Sequence, residues 1–233
     1  MNKLFFDIET LPADEKAIPT LKYLYERKIS KIDPESDKIP ESFEKFFDKT
    51  ALDGTYGRIC CIAYALNDKP VEVLSGSDDE ALMVRKFWEI AGSADLIIGH
   101  NIRDFDLPFI MQRSAILGVK PTWNKFEEPG KKPWDMAKFL SFARYKNAPI
   151  FDTMWEWSNW VDKWSNKTIE HLALAMGIPT PKEGIDGSQV ASFYKAGKIK
   201  EICDYCMRDV ETVRAVYKRI TFEGVKDTES APF

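Results

Sequence analysis

The chain has 233 residues, 44% of them hydrophobic and 13% aromatic, with a formal net charge of −4. A chain of this length buries about 70% of the surface it exposes when unfolded, which fits one large domain carrying insertions. The acidic balance excludes a protein that coats nucleic acid through many phosphate contacts. It leaves open an enzyme that grips a few nucleotides through metal ions, whose charge no residue count contains.

No apolar run reaches the ~18 residues of a membrane span. Residues 1–3 lead directly into Leu4, Phe5 and Phe6 without the basic-then-apolar opening of a signal peptide, so the expected location is the cytoplasm. The four cysteines fall as Cys60-Cys61 and Cys203-x-x-Cys206, with only His100 and His171 to join them. That spacing argues against structural zinc, and spacing and compartment both argue against a disulfide framework.

In chain order, residues 3–7 predict a first strand and RICCIAYAL, residues 58–66, a second. Asn67 and Asp68 read as a turn into PVEVL, residues 70–74, which completes an antiparallel hairpin. Residues 78–94 predict a helix, opened by acidic residues, closed by Gly92, and carrying Leu82, Val84, Phe87, Trp88 and Ile90 at helical spacing. DLIIG, residues 95–99, predicts a short strand. A helix follows with Asp106 at its N-cap, Pro108 in its first turn and Gly118 at its stop. IFDTMW, residues 150–155, predicts another strand. Residues 166–177, 188–197 and 198–220 predict helices.

A three-stranded meander followed by β–α alternation implies an α/β fold, a mixed sheet with helices on both faces. Residues 12–57 and 119–149 interrupt this pattern as two insertions, the first a charged stretch with helical pieces.

Candidate chemistry begins with Asp7 and Glu9. In a strand, residues two apart point to one face. Two carboxylates that close repel, and a divalent cation resolves the conflict; the alternative is a strand end wetted only by water. Asp106 follows a short apolar strand at a helix start, the sheet edge where α/β folds gather ligands. It would otherwise be a helix cap, and Asp104 competes for its place. Tyr205 and Asp209, four apart, share a helix face about 6 Å apart along the axis; the alternative is a surface helix with a half-buried tyrosine.

In type, order and spacing, Asp7, Glu9, Asp106 and Asp209, with Tyr205 one turn before the last, resemble the DEDD superfamily of 3′–5′ exonucleases. The tyrosine marks the DEDDy branch, since neither His100 nor His171 can fill the histidine place of the sister branch. The chain looks closest to stand-alone proteins similar to the proofreading domain of family-B DNA polymerases. FFDIET, GHNIRDFDLPFI and YCMRDVETV correspond to the three motifs, and GIDGSQV at residues 184–190 resembles a stretch upstream of the third. The match runs from about residue 3 to 220, with both insertions only loosely covered. Asn101 and Phe105 precede Asp106 as in the second motif, which assigns the metal role to Asp106 rather than Asp104.

The resemblance implies a ribonuclease H-like sheet in an exonuclease domain of residues 1–222, followed by a tail, 223–233. It implies catalysis by Asp7, Glu9, Asp106, Tyr205 and Asp209, with the four carboxylates holding two divalent ions. Hard oxygen ligands point to Mg²⁺ or Mn²⁺. Asp7 would bridge both ions, Glu9 and Asp209 complete the first site, and Asp106 support the second. Thr10 and Leu11 would lie beside the terminal nucleotide, with Leu11 a wedge, and His100, Asn101 and Phe105 near the 3′ end. The implied substrate is single-stranded DNA or a frayed 3′ end, with RNA the alternative, and the product nucleoside 5′-monophosphates. A non-catalytic binding module would have lost a carboxylate, and none is lost. The exonuclease region takes nearly the whole chain, so a polymerase or repair partner would be a separate protein.

Two aromatic groups stay open. Lys131, Lys132, Lys138, Arg144 and Lys146 interleave with Trp134, Phe139, Phe142 and Tyr145. They form either a single-strand groove or a solvated loop packing its rings inward. Trp155, Trp157, Trp160 and Trp164 do not share one helical face, so two of them are expected in the core.

Overall fold

The computed structural model describes residues 1–33, 39–76, 79–123, 149–160, 167–180 and 185–224. β1 (Lys3–Leu11) is longer than predicted, because β2 (Arg58–Leu66) pairs with it antiparallel from Leu4↔Leu66 to Leu11↔Arg58. Asp7 and Glu9 therefore sit inside a strand. β3 (Glu72–Ser75) extends the meander, and β4 (Leu96–Gly99) and β5 (Ile150–Asp152) add parallel strands on the other side. The sheet order is β3-β2-β1-β4-β5, the mixed, ribonuclease H-like arrangement expected. β4 pairs only with Lys3, Leu4 and Phe5 of β1. Past Phe5, β1 overruns its parallel neighbour and leaves backbone groups for other partners.

Alternation along β1 divides the core. Leu4, Phe6 and Ile8 pack with α3 (Glu80–Gly92) and α4 (Asp106–Leu117), while Phe5 and Leu11 pack with α8 (Ile199–Ile220). Asp7 and Glu9 share the parity of Phe5 and Leu11, so they face α8. β2 breaks its alternation once. Ile59 and Ile62 join the first core, but Cys60 and Cys61 both join the second. The pairing register steps there from Glu9↔Cys61 to Thr10↔Ile59. This is a β-bulge with Cys60 as the extra residue. It turns both thiols toward α8, which carries Cys203 and Cys206; all four cysteines are free and buried.

Three elements differ from the sequence reading. In α3 the buried stripe is Met83, Val84, Phe87, Trp88 and Ala91, while Leu82 is exposed and Ile90 only partly buried. α4 starts at Asp106 itself, with Phe105 as N-cap, and ends at Gly118 in the left-handed region, φ 67°. The predicted strand 150–155 stops at Asp152, whose side chain accepts the Met154 and Trp155 N–H groups and starts α5 (Thr153–Trp157). α6 (Ile169–Ala175), capped by Thr168, and α7 (Val190–Lys195) follow.

Between β1 and β2 the chain builds α1 (Ile18–Ile29) and α2 (Phe43–Asp48), joined by Tyr25 against Phe43 and by Glu41 between Lys28 and Lys49. The segment's end is pinned to the main core. Ala13 N–H donates to Thr50 Oγ1 at 2.8 Å, Gly54 N–H to Gln112 Oε1 at 2.9 Å, and Arg113 Nη1 to the Gly54 carbonyl at 3.1 Å. Residues 124–148, with the basic and aromatic residues of the second insertion, lie outside the described residues, as does Trp164. Among the described residues, no helix is long and apolar enough to cross a membrane.

Candidate active site

Three elements bring the predicted acids together. β1 supplies Asp7 and Glu9, the first turn of α4 supplies Asp106, and α8 supplies Tyr205 and Asp209. Glu9, Asp106, Tyr205 and Asp209 are all buried. Asp106 arrives because β1 overruns β4: its Oδ1 accepts the Ile8 N–H at 3.1 Å, a donor the sheet leaves open. Asp104 is turned away, accepting from Trp155 Nε1 at 3.2 Å.

Burial and mutual repulsion govern the protonation of this group. Burial, then the neighbouring Cys206, Asp106, Asp209 and Glu9, pushes Asp7 well above the usual carboxylate range. Glu9 rises through burial and then through Asp209 and Asp106. Asp106 is pushed up to about 7 by burial, against the lowering effect of the Ile8 N–H. The Tyr205 phenol is raised by burial and then by the neighbouring Asp209, Glu9 and Asp7. It therefore stays protonated and acts as a donor. Among the described residues neither Asp7 nor Glu9 pairs with a basic side chain. Asp7 and Glu9, converging with Asp106 and Asp209, form a donor set that suits a hard divalent cation.

One member of the cluster was not anticipated. Cys206 is wholly buried, and its thiol reaches the Asp7 carbonyl at 3.4 Å and Asp7 Oδ2 at 3.5 Å. The ligand atoms of Asp7, Glu9 and Cys206 all lie within 4.8 Å of one another. The signal was its position, three before Asp209 on the same helix face.

The loop from β4 to α4 holds the remaining predicted residues. Asn101 adopts φ 62°. Its N–H donates to Asp152 Oδ1 at 2.9 Å and that of Arg103 to Asp152 Oδ2 at 3.0 Å. Asp152, fully buried, thus ties this loop to the start of α5. Its signal was an aspartate closing a short apolar strand. His100 Nδ1 lies 2.9 Å from Thr153 Oγ1, whose hydroxyl donates to the Gly99 carbonyl at 3.1 Å. Burial holds this imidazole down at about 4, hence neutral at pH 7. Phe105 is half-buried and packs on Phe109, ring centres 5.7 Å apart.

Thr10 and Leu11 are engaged elsewhere. The Thr10 hydroxyl donates to the Ala51 carbonyl at 2.6 Å, and Leu11, 3% exposed, sits in the core beside α8. Leu11 is therefore not presented as a wedge here, since apolar burial holds it. Trp155 is buried and stacks on Trp160 at 5.4 Å, with Arg103 over the Trp160 ring, while Trp157 is exposed.

Comparison with known proteins bears on the family and the fold. Residues 51–230 match a family model described as "Predicted 3'-5' exonuclease related to the exonuclease domain of PolB". The matched span contains Asp106, Tyr205 and Asp209 but not Asp7 or Glu9. Among solved structures the chain is similar to the family B DNA polymerase from the hyperthermophilic archaeon Pyrobaculum calidifontis, with a TM-score of 0.60 and 16% identity. The likeness covers 95% of this chain and 24% of that one, so it supports the fold, and this chain spans about a quarter of the polymerase. No curated protein matches. With more than half of its length matched by the family model, the chain belongs to the family of predicted 3′–5′ exonucleases related to the exonuclease domain of PolB.

Proposed function

We propose that the chain is a metal-dependent exonuclease that removes nucleoside 5′-monophosphates from the 3′ end of single-stranded DNA or a frayed duplex. The observation that carries this reading is the convergence of buried acids from β1, α4 and α8, with no basic side chain paired to Asp7 or Glu9 among the described residues. Two divalent cations, Mg²⁺ or Mn²⁺, would supply an activated water and steady the leaving 3′ oxygen.

The chain's own residues do the rest. Asp7, Glu9, Asp106 and Asp209 would hold these cations, with Asp7 common to both places, Glu9 and Asp209 completing one and Asp106 the other. Asp106 is held in place beforehand by the Ile8 N–H. Tyr205 keeps its proton, so it orients the attacking water by donating a hydrogen bond. His100, Asn101 and Phe105 lie on the loop leading into Asp106, which supports their role at the terminal nucleotide. Base stacking of this kind is worth about 1–3 kcal/mol and tolerates any sequence. For Leu11 to wedge between bases it would have to leave its core position, and Thr10 would act from a place where its hydroxyl is already bonded.

The test uses a 5′-labelled single-stranded DNA and its RNA twin, each with Mg²⁺, Mn²⁺ or chelator. A ladder shortening from the 3′ end of DNA, only with metal and absent in Asp7→Ala, is the expected result. Shortening of RNA alone moves the substrate to RNA through the 2′-hydroxyl. Equal products from Asp7→Ala and the wild type overturn the site.

A further inference from the structure

We propose that Asp7, Glu9 and Cys206 form a mixed oxygen–sulfur site for a thiophilic divalent cation, Zn²⁺ or Cd²⁺, and that such a cation closes the exonuclease centre to its working metals. The regulatory half rests on the nuclease reading above; the site itself rests on geometry. One ligand atom from each residue lies within 4.8 Å of the other two. The Cys206 sulfur is wholly buried on the sheet-facing side of α8 and reaches across to Asp7. Glu9 supplies an independent sign. The residue is 7% exposed, and among the described residues it has neither a hydrogen bond nor an ion pair, so a largely buried carboxylate faces the cluster without a partner.

The donor set discriminates between cations. Zn²⁺ accepts thiolate sulfur at about 2.3 Å and carboxylate oxygen at about 2.0–2.2 Å, and three protein ligands with one open position form a familiar zinc geometry. Mg²⁺ takes oxygen ligands and dehydrates reluctantly, so the sulfur adds nothing for it. On binding, the Cys206 S–H bond breaks, its proton passes to solvent and a metal–sulfur bond forms; no electrons are transferred. The cation replaces the thiol's contact with Asp7. Asp7, once committed to it, is no longer free to be shared between two working cations.

Cys60, Cys61 and Cys203 lie on the same face of the sheet and are the rival ligands. The experiment titrates Cd²⁺ alone into the metal-free full chain and follows the ultraviolet thiolate-to-cadmium band. The expected result is a band saturating at one equivalent, lost in Cys206→Ser and kept in Cys203→Ser, with Cd²⁺ binding weakened about tenfold or more in Glu9→Gln. Cadmium NMR of the wild-type protein needs no variant, and the expected signal is that of one sulfur among oxygens. A band that survives in Cys206→Ser overturns the proposal. So does no band, or a wild-type spectrum reporting several sulfurs or none. The readout is independent of nuclease activity: Cd²⁺ bound as expected in a chain that never shortens DNA leaves this site standing and removes only the exonuclease reading.

Discussion

Asp106 sits where an overrunning strand and a helix start meet, and that junction explains its behaviour. Its Oδ1 satisfies the Ile8 N–H, while burial and the other acids push it up to about 7. Asp7 and Glu9 are raised too. Between the ordinary carboxylate range near pH 4 and these raised values, the folded state binds more protons than the unfolded chain. Stability of the metal-free protein should therefore fall as pH rises from about 4 through about 7, and saturating Mg²⁺ or Mn²⁺ should flatten that slope; melting temperature against pH checks both. In the exonuclease assay, Asp7→Ala and Asp209→Ala should abolish activity. Tyr205→Phe should leave a residue, down by about 10²-fold, because orientation is lost while the carboxylates remain. Activity of Tyr205→Phe equal to Asp7→Ala would contradict a purely orienting phenol. Spacing singled out Asp7 with Glu9, Asp106, and Tyr205 with Asp209, each beside a plainer alternative, and the resemblance to the DEDD exonucleases joined them into one group. Cys206 and Asp152 were not, since each acts through a residue distant in sequence.

At the scale of elements, the β4–α4 turn is held from both sides. A Cβ on Gly99 would lie 2.0 Å from Ile102 Cγ2 and 3.1 Å from the Phe6 carbonyl. Gly99→Ala should thus cost about 1–3 kcal/mol in chemical denaturation, through overpacking where the turn leaves the sheet. Asp152 faces four backbone N–H groups, from Asn101, Arg103, Met154 and Trp155. Asp152→Ala removes a helix cap and strands buried donors, an expected loss of about 2–4 kcal/mol. It should also lower exonuclease activity by loosening the loop that leads into Asp106. The same aspartate explains a misreading: IFDTMW carries strand-like residues, yet a cap at Asp152 ends the strand after three residues. The bulge at Cys60 was hidden for a related reason. Register belongs to a pair of strands, and one strand's sequence does not contain it.

For the molecule as a whole, the mixed sheet was readable from the hairpin and the β–α alternation, because both are written in local periodicity. The packing of residues 50–57 was not, because it hangs on a few distant polar ties. Arg113 forms a paired hydrogen bond with Glu80 at 2.9 and 2.8 Å and also holds the Gly54 carbonyl. Arg113→Ala leaves the partly buried Glu80 without its charge partner and the Gly54 carbonyl without its donor, at a cost of about 1–3 kcal/mol. It should open residues 50–57 to hydrogen exchange ahead of the sheet. Acids from β1, α4 and α8 are proposed to share divalent cations. The direct measurement is titration of Mn²⁺ into the metal-free full chain, read by calorimetry beside the Asp7→Ala and Asp209→Ala variants. Two bound Mn²⁺ in the wild type, with binding lost or sharply weakened in each variant, is the predicted result. Binding unchanged by either substitution, or no binding at all, would contradict it.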